Sequence, residues 1–393
     1  MSYSRHLSLF PVLCALVLVA GIGFATGRVT AGGAAERAAP VATPTRGPTL
    51  PRSPSPSRSP APSVTPSASA SGSGPAPGRR DRARFSPYVD VSLIDRTPLA
   101  ATARATGSRD FTLGFIVSDG GCAPTWGGTG GLRGSPVAAE IEQLRAAGGD
   151  VRASFGGADG VELAQACPDD ESLATAYREV VETYRLTSVD FDVEGSALAD
   201  GAANARRDRA IDRLQQEAAD AGRVLDVTFT LPVMPEGLDA TAIDLLRGAV
   251  DAGVHVTAVN IMTMNYGSQY TGPMGEYAIK AARATHKQLR GVFGLGVTEA
   301  WQAIEVTPMI GVNNVAPEVF QARDAEQVVE FARSVGLGAL SMWSVARDRA
   351  CPDGPQPHPE PSCSSIDQEP GAFLRAFAAY AGLARPASTA TGE

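Results

Sequence analysis

From about Pro87 onward, short apolar runs alternate with longer stretches whose apolar residues recur every three to four positions. The runs predict strands at YVDVSLI (88–94), FTLGFIV (111–117), DVRASFG (150–156), SVDFDVE (188–194), VLDVTFTL (224–231), HVTAVNIMTMN (255–265), VTPMIGV (306–312) and ALSMWSV (339–345). Helical patterns lie between most of them. SPVAAEIEQLRAAGG has Pro136 near its start and Gly148 after its last apolar turn, the usual start and stop residues of a helix. ESLATAYREVVETYRL is a second. AEQVVEFARSVG is a third, with Val328, Val329, Phe331 and Ala332 at helical spacing. Strands alternating with helices imply a parallel sheet. Eight such units over about 300 residues predict a (β/α)8 TIM barrel. The rival is an open doubly wound sheet, and the lack of a G-x-G-x-x-G turn after the first strand counts against it.

The N-terminal pattern is different. Arg5 and His6 precede an apolar run from Leu7 to Gly27, closed by Arg28. At about 20 residues such a run is long enough to span a bilayer, so residues 1–28 read as a signal peptide or a signal anchor. Residues 29–85 are rich in Pro, Ser, Ala and Thr and lack the aliphatic and aromatic side chains that offset chain entropy. They read as a disordered, proline-stiffened linker. The folded domain is then 86–385, with a short disordered tail at 386–393. This order implies an extracytoplasmic protein, secreted or held to a membrane only through its N-terminal segment. The domain is expected to be a monomer.

Composition adds two constraints. A net charge of -8 gives no electrostatic reason to hold nucleic acid and suits a neutral or cationic ligand better. Of five cysteines, Cys14 lies in the apolar run, leaving Cys122, Cys167, Cys351 and Cys363. Four cysteines allow three pairings. Cys351 with Cys363 is the local choice, because the Pro-rich loop between them has nothing else to order it; Cys122 and Cys167 would then staple two other loops. Four buried free thiols are the alternative, and the export signal favours disulfides.

The most informative segment is Ser188-Val189-Asp190-Phe191-Asp192-Val193-Glu194. Side chains alternate across a strand, so Asp190, Asp192 and Glu194 share one face and Val189, Phe191 and Val193 the other. In a barrel the apolar face packs on helices and the acidic face points inward. Burying unpaired like charges is costly, so one or two of these groups must hold protons or be neutralised. That raises the affinity of the last acid for its proton, as a general acid requires. Glu194 comes last, at the strand end where barrel active sites are built. A solvated edge strand and a divalent-metal site are competing readings; no second acidic cluster is present to complete a metal shell. There is no G-x-S-x-G, CxxC or HExxH motif, and the four histidines form no triad.

Asp190-x-Asp192-x-Glu194 resembles the core of the D-x-x-D-x-D-x-E signature of family-18 glycoside hydrolases, the chitinases and their relatives. Ser154-Phe155-Gly156-Gly157 resembles that family's S-x-G-G motif on the third strand. Met262-Thr263-Met264-Asn265-Tyr266 and Ser341-Met342-Trp343 are similar to its motifs on the sixth and eighth strands. The set falls in the right order across the whole domain. Three positions depart from the pattern: Thr187 stands for the first aspartate, Ser188 for the usual glycine after it, and Asn265 occupies a place often held by aspartate.

The resemblance implies retaining, substrate-assisted hydrolysis of β-1,4-linked N-acetylglucosamine polymers, with chitin or its oligosaccharides as partner and no cofactor or metal. Glu194 would protonate the glycosidic oxygen. Asp192 would hold the acetamido group, and Asp190 would tune Asp192 through a shared proton. Asn265 and Tyr266 would orient the acetamido group, with Ser154 part of the site. Flat sugar faces call for aromatic platforms: Trp343 first, then Trp126 in the loop CAPTWGG. Met262 and Met264 are expected to line the pocket, and Asn313 and Asn314 to lie at its rim. Trp301 and His255 read as structural. An endo-β-N-acetylglucosaminidase on glycans or wall polymers, and a non-catalytic chitin-binding barrel, are the alternatives.

Overall fold

The computed structural model describes residues 84–382. The expected targeting segment, the expected linker up to residue 83 and the expected tail lie outside the described residues. Among the described residues, no helix is long and apolar enough to cross a membrane.

Eight parallel strands form the centre: β1 (Tyr88–Asp90), β2 (Asp110–Ser118), β3 (Asp150–Gly156), β4 (Ser188–Asp192), β5 (Asp226–Pro232), β6 (Val256–Met262), β7 (Ile304–Thr307) and β8 (Ala339–Leu340). Each pairs with the next in chain order. Arg84–Phe85, just before β1, pairs in parallel with β8. The backbone N–H groups of Ser86 and Tyr88 donate to the carbonyls of Leu340 and Met342 at 3.1 and 3.0 Å. One extended segment therefore bonds β8 on one side and β2 on the other, and the sheet closes. Composition assigned Arg84 and Phe85 to the linker; backbone pairing assigns them to the barrel.

A helix follows each strand: α1 (Leu99–Thr106), α2 (Pro136–Ala146), α3 (Asp170–Tyr184), α4 (Gly201–Asp220), α5 (Ala240–Asp251), α6 (Met274–Phe293), α7 (Ala322–Val335) and α8 (Ala372–Ala378). Many begin where a short polar side chain satisfies a free backbone donor. Ser135 caps α2 with Pro136 behind it, Asp169 caps α3, Asp200 caps α4 and Asp239 caps α5. A reciprocal capping box between Gln321 and Asp324 starts α7, and Gly336 ends it at φ 69°.

The alternation expected of β4 is observed. Phe191 points outward and stacks on Phe155 at 5.2 Å, while Tyr177 of α3 meets both rings edge-on at 4.8 and 5.1 Å. Asp190 points inward and is fully buried. Inside the barrel one layer further down, Arg152 of β3 donates to Glu305 of β7 and Thr228 of β5, each at 2.9 Å, and to Thr112 of β2 at 3.2 Å. Both ends of the ion pair are buried.

Several strands are shorter than their apolar runs. Only Tyr88–Asp90 of the first is extended; Asp90 accepts from the Ser92 backbone N–H at 2.9 Å and turns the chain into a 3-10 helix over Val91–Arg96. The seventh strand is Ile304–Thr307, not 306–312, since Gly311–Val312 leaves the barrel to pair antiparallel with Val319–Phe320. The eighth is ladder-paired only at Ala339–Leu340. Disulfides join Cys122 to Cys167 and Cys351 to Cys363, the pairing expected from the loops.

The outward aromatic cluster ties β4 to the helical layer, so Phe191→Ala should lower the unfolding free energy by about 3–5 kcal/mol in urea titrations.

Candidate active site

The carboxyl ends of the strands surround a cleft of about 330 Å3. Its wall includes Asp192, Glu194, Met262, Asn265 and Trp343. Glu194 stands two residues beyond the end of β4, yet its backbone remains extended at φ −139°, ψ 174°, so the alternation that places Asp190 and Asp192 inward carries through to it. It is half-buried at the cleft wall.

The three acids have different surroundings. Asp190, the deepest, accepts from Ser154 Oγ at 2.6 Å, Thr230 Oγ1 at 2.7 Å and Tyr88 Oη at 2.8 Å. Burial pushes its carboxyl above the ordinary carboxylate range; the Arg152 charge and the three hydroxyl donors hold it back. Asp192 is 4% exposed, and its Oδ1 has no hydrogen-bond partner. Burial raises it well above the ordinary range, and the charges of Glu194, Asp190 and Glu162 add to the rise. Glu194 is raised by burial and by Asp159. All three carboxyls are thus raised, Asp192 most strongly, and the row is graded in its partners: a cation and three donors oppose the rise at Asp190, and no such group does at Asp192 or Glu194.

The S-x-G-G segment builds the neighbouring wall. Gly156 and Gly157 have φ of +97° and +87°. A Cβ on Gly156 would lie 2.2 Å from the Asp192 carbonyl oxygen, and one on Gly157 2.7 Å from the Phe115 ring. The Gly157 N–H donates to that same carbonyl at 3.0 Å. Only glycine lets β3 turn this tightly against the acid-bearing strand. Trp343 stacks on Phe115 at 5.6 Å and 20° and meets Tyr88 at 5.9 Å, giving the cleft an aromatic wall.

Some expected site residues lie elsewhere. Trp126 is buried; its Nε1 donates to Tyr184 Oη at 2.8 Å, pinning its loop to the end of α3 and making the indole a packing group, not a sugar platform. Asn313 is also buried, its Nδ2 spent on the carbonyls of Met309 and Gly311; its neighbour Asn314 reaches the cleft. Tyr266 packs against Tyr270 and Tyr277 at 5.6 and 6.0 Å and is absent from the cleft lining. Ser154 and Asp190 act from below the wall. Asn265 is on the wall in a left-handed turn at φ 55°, its Oδ1 accepting from the Asn314 N–H at 2.9 Å. Trp301 is buried against His286 at 4.0 Å. Sequence reasoning missed Tyr88, Phe115, Thr230, Asp159 and Arg347, all on the wall. Tyr88 and Phe115 lie within expected strands, but nothing local marks a hydroxyl that will meet a carboxylate 102 residues away. Among the described residues, no group of three or more His, Cys, Asp or Glu side chains is arranged to hold a metal ion.

No family model matches the sequence. The chain is 35% identical over 308 residues to a probable bifunctional chitinase/lysozyme of Escherichia coli K12, covering 75% of this chain and 34% of that protein. It is 34% identical over 273 residues to endochitinase 11 of Metarhizium anisopliae, covering 67% of this chain and 52% of that protein. It thus spans about a third and about half of these curated relatives. The crystal structure of the catalytic domain of a hyperthermophilic chitinase from Pyrococcus furiosus superposes with a TM-score of 0.68 at 34% identity, covering 78% of this chain and 96% of that one. The chain belongs to the family-18 glycoside hydrolases. The family-18 chitinase ChiB of Flavobacterium johnsoniae, at 14% identity and a TM-score of 0.53, shares the fold. In this family-18 chain the acid row, the glycine pair and the Trp343 wall occupy one end of one barrel.

A carboxyl raised by burial is penalised in the native state once it ionises. At pH values below its unfolded-state pKa both states hold the proton and no penalty exists; as pH rises past that point, native stability falls. Asp192→Asn should therefore raise the Tm at pH 7 relative to the wild type, with the gain vanishing toward pH 4, as read by calorimetry at both pH values.

Proposed function

We propose that this chain hydrolyses β-1,4-linked N-acetylglucosamine polymers of the chitin class by a retaining, substrate-assisted reaction. The observation that carries the reading is the graded carboxylate row: a half-buried Glu194 on the cleft with Asp192 behind it, one oxygen unpartnered. A glycosidase using two independent carboxyls places one on each side of the scissile bond. Here the acids run inward in a single file from Glu194, which supports one proton donor and a substrate that supplies its own nucleophile.

Glu194 donates its proton to the glycosidic oxygen as the bond to the leaving sugar breaks. The 2-acetamido oxygen of the bound sugar attacks C1, and Asp192 accepts a hydrogen bond from the acetamido N–H as positive charge develops. Water then opens the oxazolinium-like intermediate, with Glu194 taking back a proton. Asn265 has its Oδ1 occupied by Asn314, so its Nδ2 is the group with donor capacity for the acetamido oxygen. Trp343 offers an aromatic face to the sugar ring. The chitinase names of the relatives support this substrate class.

The name of the Escherichia coli relative includes lysozyme, which favours wall polymers as the second reading; a chitin oligomer and a peptidoglycan fragment assayed side by side separate the two. The apolar N-terminal run and the linker support export, with the barrel held outside the cytoplasm.

Glu194→Gln should reduce kcat on N-acetylglucosamine oligomers by about 10²–10⁴-fold, while calorimetric binding of the same oligomers is retained. Normal turnover by that variant would falsify the assignment of the acid. Proton NMR of the wild-type reaction should show the β-anomer as the first product; an α-anomer would exclude retention.

A further inference from the structure

Three acids share one face of the chain at β4; among the described residues Arg152 is the cation in the layer just beneath them, and Arg347 lies on the cleft wall above. Arg152 lies on β3 two residues before Ser154, the residue whose hydroxyl donates to Asp190. Its guanidinium bonds Thr228, and Thr228 stands opposite Asp190 in the β4–β5 register. The cation thus occupies the layer just inside Asp190. Its charge is shared between Glu305, bonded at 2.9 Å, and Asp190 above. One of its two terminal nitrogens, Nη2, is buried without a partner.

We infer that Arg152, with Glu305 as its counterweight, is a positioning residue for catalysis: the buried pair fixes Asp190 as the anionic member of the row, so that the proton shared by the two aspartates resides on Asp192 and leaves its other oxygen to accept from the acetamido N–H. The inference rests on the reading of the site proposed above.

The surroundings support it from each element packed on the row. On β4 itself Asp190 faces Asp192, and Asp192 faces Glu194. From β1, Tyr88 donates as a neutral phenol, its ionisation opposed by burial and by the charges of Asp190 and Asp192. From β5 and β6 come Thr230 and Asn260, which do not titrate. Past the end of β3, Asp159 and Glu162 add negative charge near Glu194 and Asp192, Glu162 being paired with the buried Arg207 of α4. At the opposite mouth a polar recess of the barrel carries Arg84, Asp110, Asp150 and Asp226 beside Arg152 and Glu305. The cation acting on Asp190 is therefore Arg152, and Asp190 also collects three hydroxyl donors while Asp192 keeps a bare Oδ1. A proton shared between the two has its better home on Asp192.

The pair gives the inference a sign. Catalysis needs one negative charge on the aspartate pair to balance the developing oxazolinium, so the acidic limb of the kcat/KM profile marks the first ionisation of the pair. Removing the cation makes that ionisation harder; removing its carboxylate partner makes it easier. A residue that only props up the barrel would instead lower activity alike in both variants.

The test uses the full chain with a soluble N-acetylglucosamine oligomer. Arg152→Met should move the acidic limb up by roughly half a pH unit or more, Glu305→Gln should move it down, and Arg152→Lys should stay near the wild type. Shifts of the same sign, or no shift in folded variants, overturn the inference. If Arg152→Met does not fold, Glu305→Gln and Arg152→Lys decide it. A second readout needs no turnover: ¹³C-carboxyl NMR of aspartate-labelled protein should show the Asp190 titration moving in opposite directions in Arg152→Met and Glu305→Gln, and motion in the same direction overturns the inference. A wild-type chain that leaves the oligomer uncut refutes the proposed function, while the NMR titration still decides the role of Arg152.

Discussion

A barrel interior that must hold three carboxylates on one strand face is the constraint around which this structure is arranged. Uncompensated, such a row would expel its charge or unfold the barrel. Compensation comes in layers. At the bottom Arg152 and Glu305 form a buried, nearly neutral pair. Above it Asp190 is enclosed by the hydroxyls of Tyr88, Ser154 and Thr230. At the top Asp192 and Glu194 lack such partners and answer burial by holding protons more tightly. The cost of desolvation is thus displaced toward the cleft, where protonated carboxyls have chemical use.

The surrounding scaffold keeps the gradient in place. The outward face of β4 is locked by Phe155, Phe191 and Tyr177, which prevents a register slip that would exchange the acidic and apolar faces. Gly156 and Gly157 bring β3 close enough for its backbone to bond the Asp192 carbonyl. The Phe115–Trp343 stack continues the wall beside them. The loop strapped by Cys351–Cys363 contributes Pro359, Glu360 and Pro361 to the wall, held there by Arg347, which donates to the carbonyls of Glu360, Ile310 and Val312. Burial lowers the Arg347 guanidinium to about 10 against the opposing charge of Glu360, and its donors gather three backbone segments.

Polar residues misled or escaped the sequence reading where their partners were distant. Trp126 sits in a glycine-flanked loop beside a disulfide, an arrangement equally suited to a sugar platform and to packing; the hydroxyl of Tyr184, on a helix 58 residues on, decided for packing. Asn313 and Asn314 are indistinguishable as neighbours in a loop, and the curl of the chain after β7 turned one inward and left the other at the cleft. Apolar runs overstated the strands that end in tight turns, because Asp90 and Gly311 redirect the backbone without interrupting the run.

The sequence by itself determined whatever depends on local periodicity. Alternation along 188–194 separated the acidic face from the apolar one, eight strand and helix alternations implied the barrel, and loop composition pointed to the disulfide partners. Only the tertiary structure decided how the acids differ from one another. Asp190, Asp192 and Glu194 are chemically near-identical in sequence, and their protonation is set by groups from other strands: Tyr88 at a separation of 102 residues, Thr230 at 40, and Arg152 through its pair with Glu305 at 153. Coulomb energy and desolvation act through space, so barrel closure, not spacing along the chain, assigned each acid its charge.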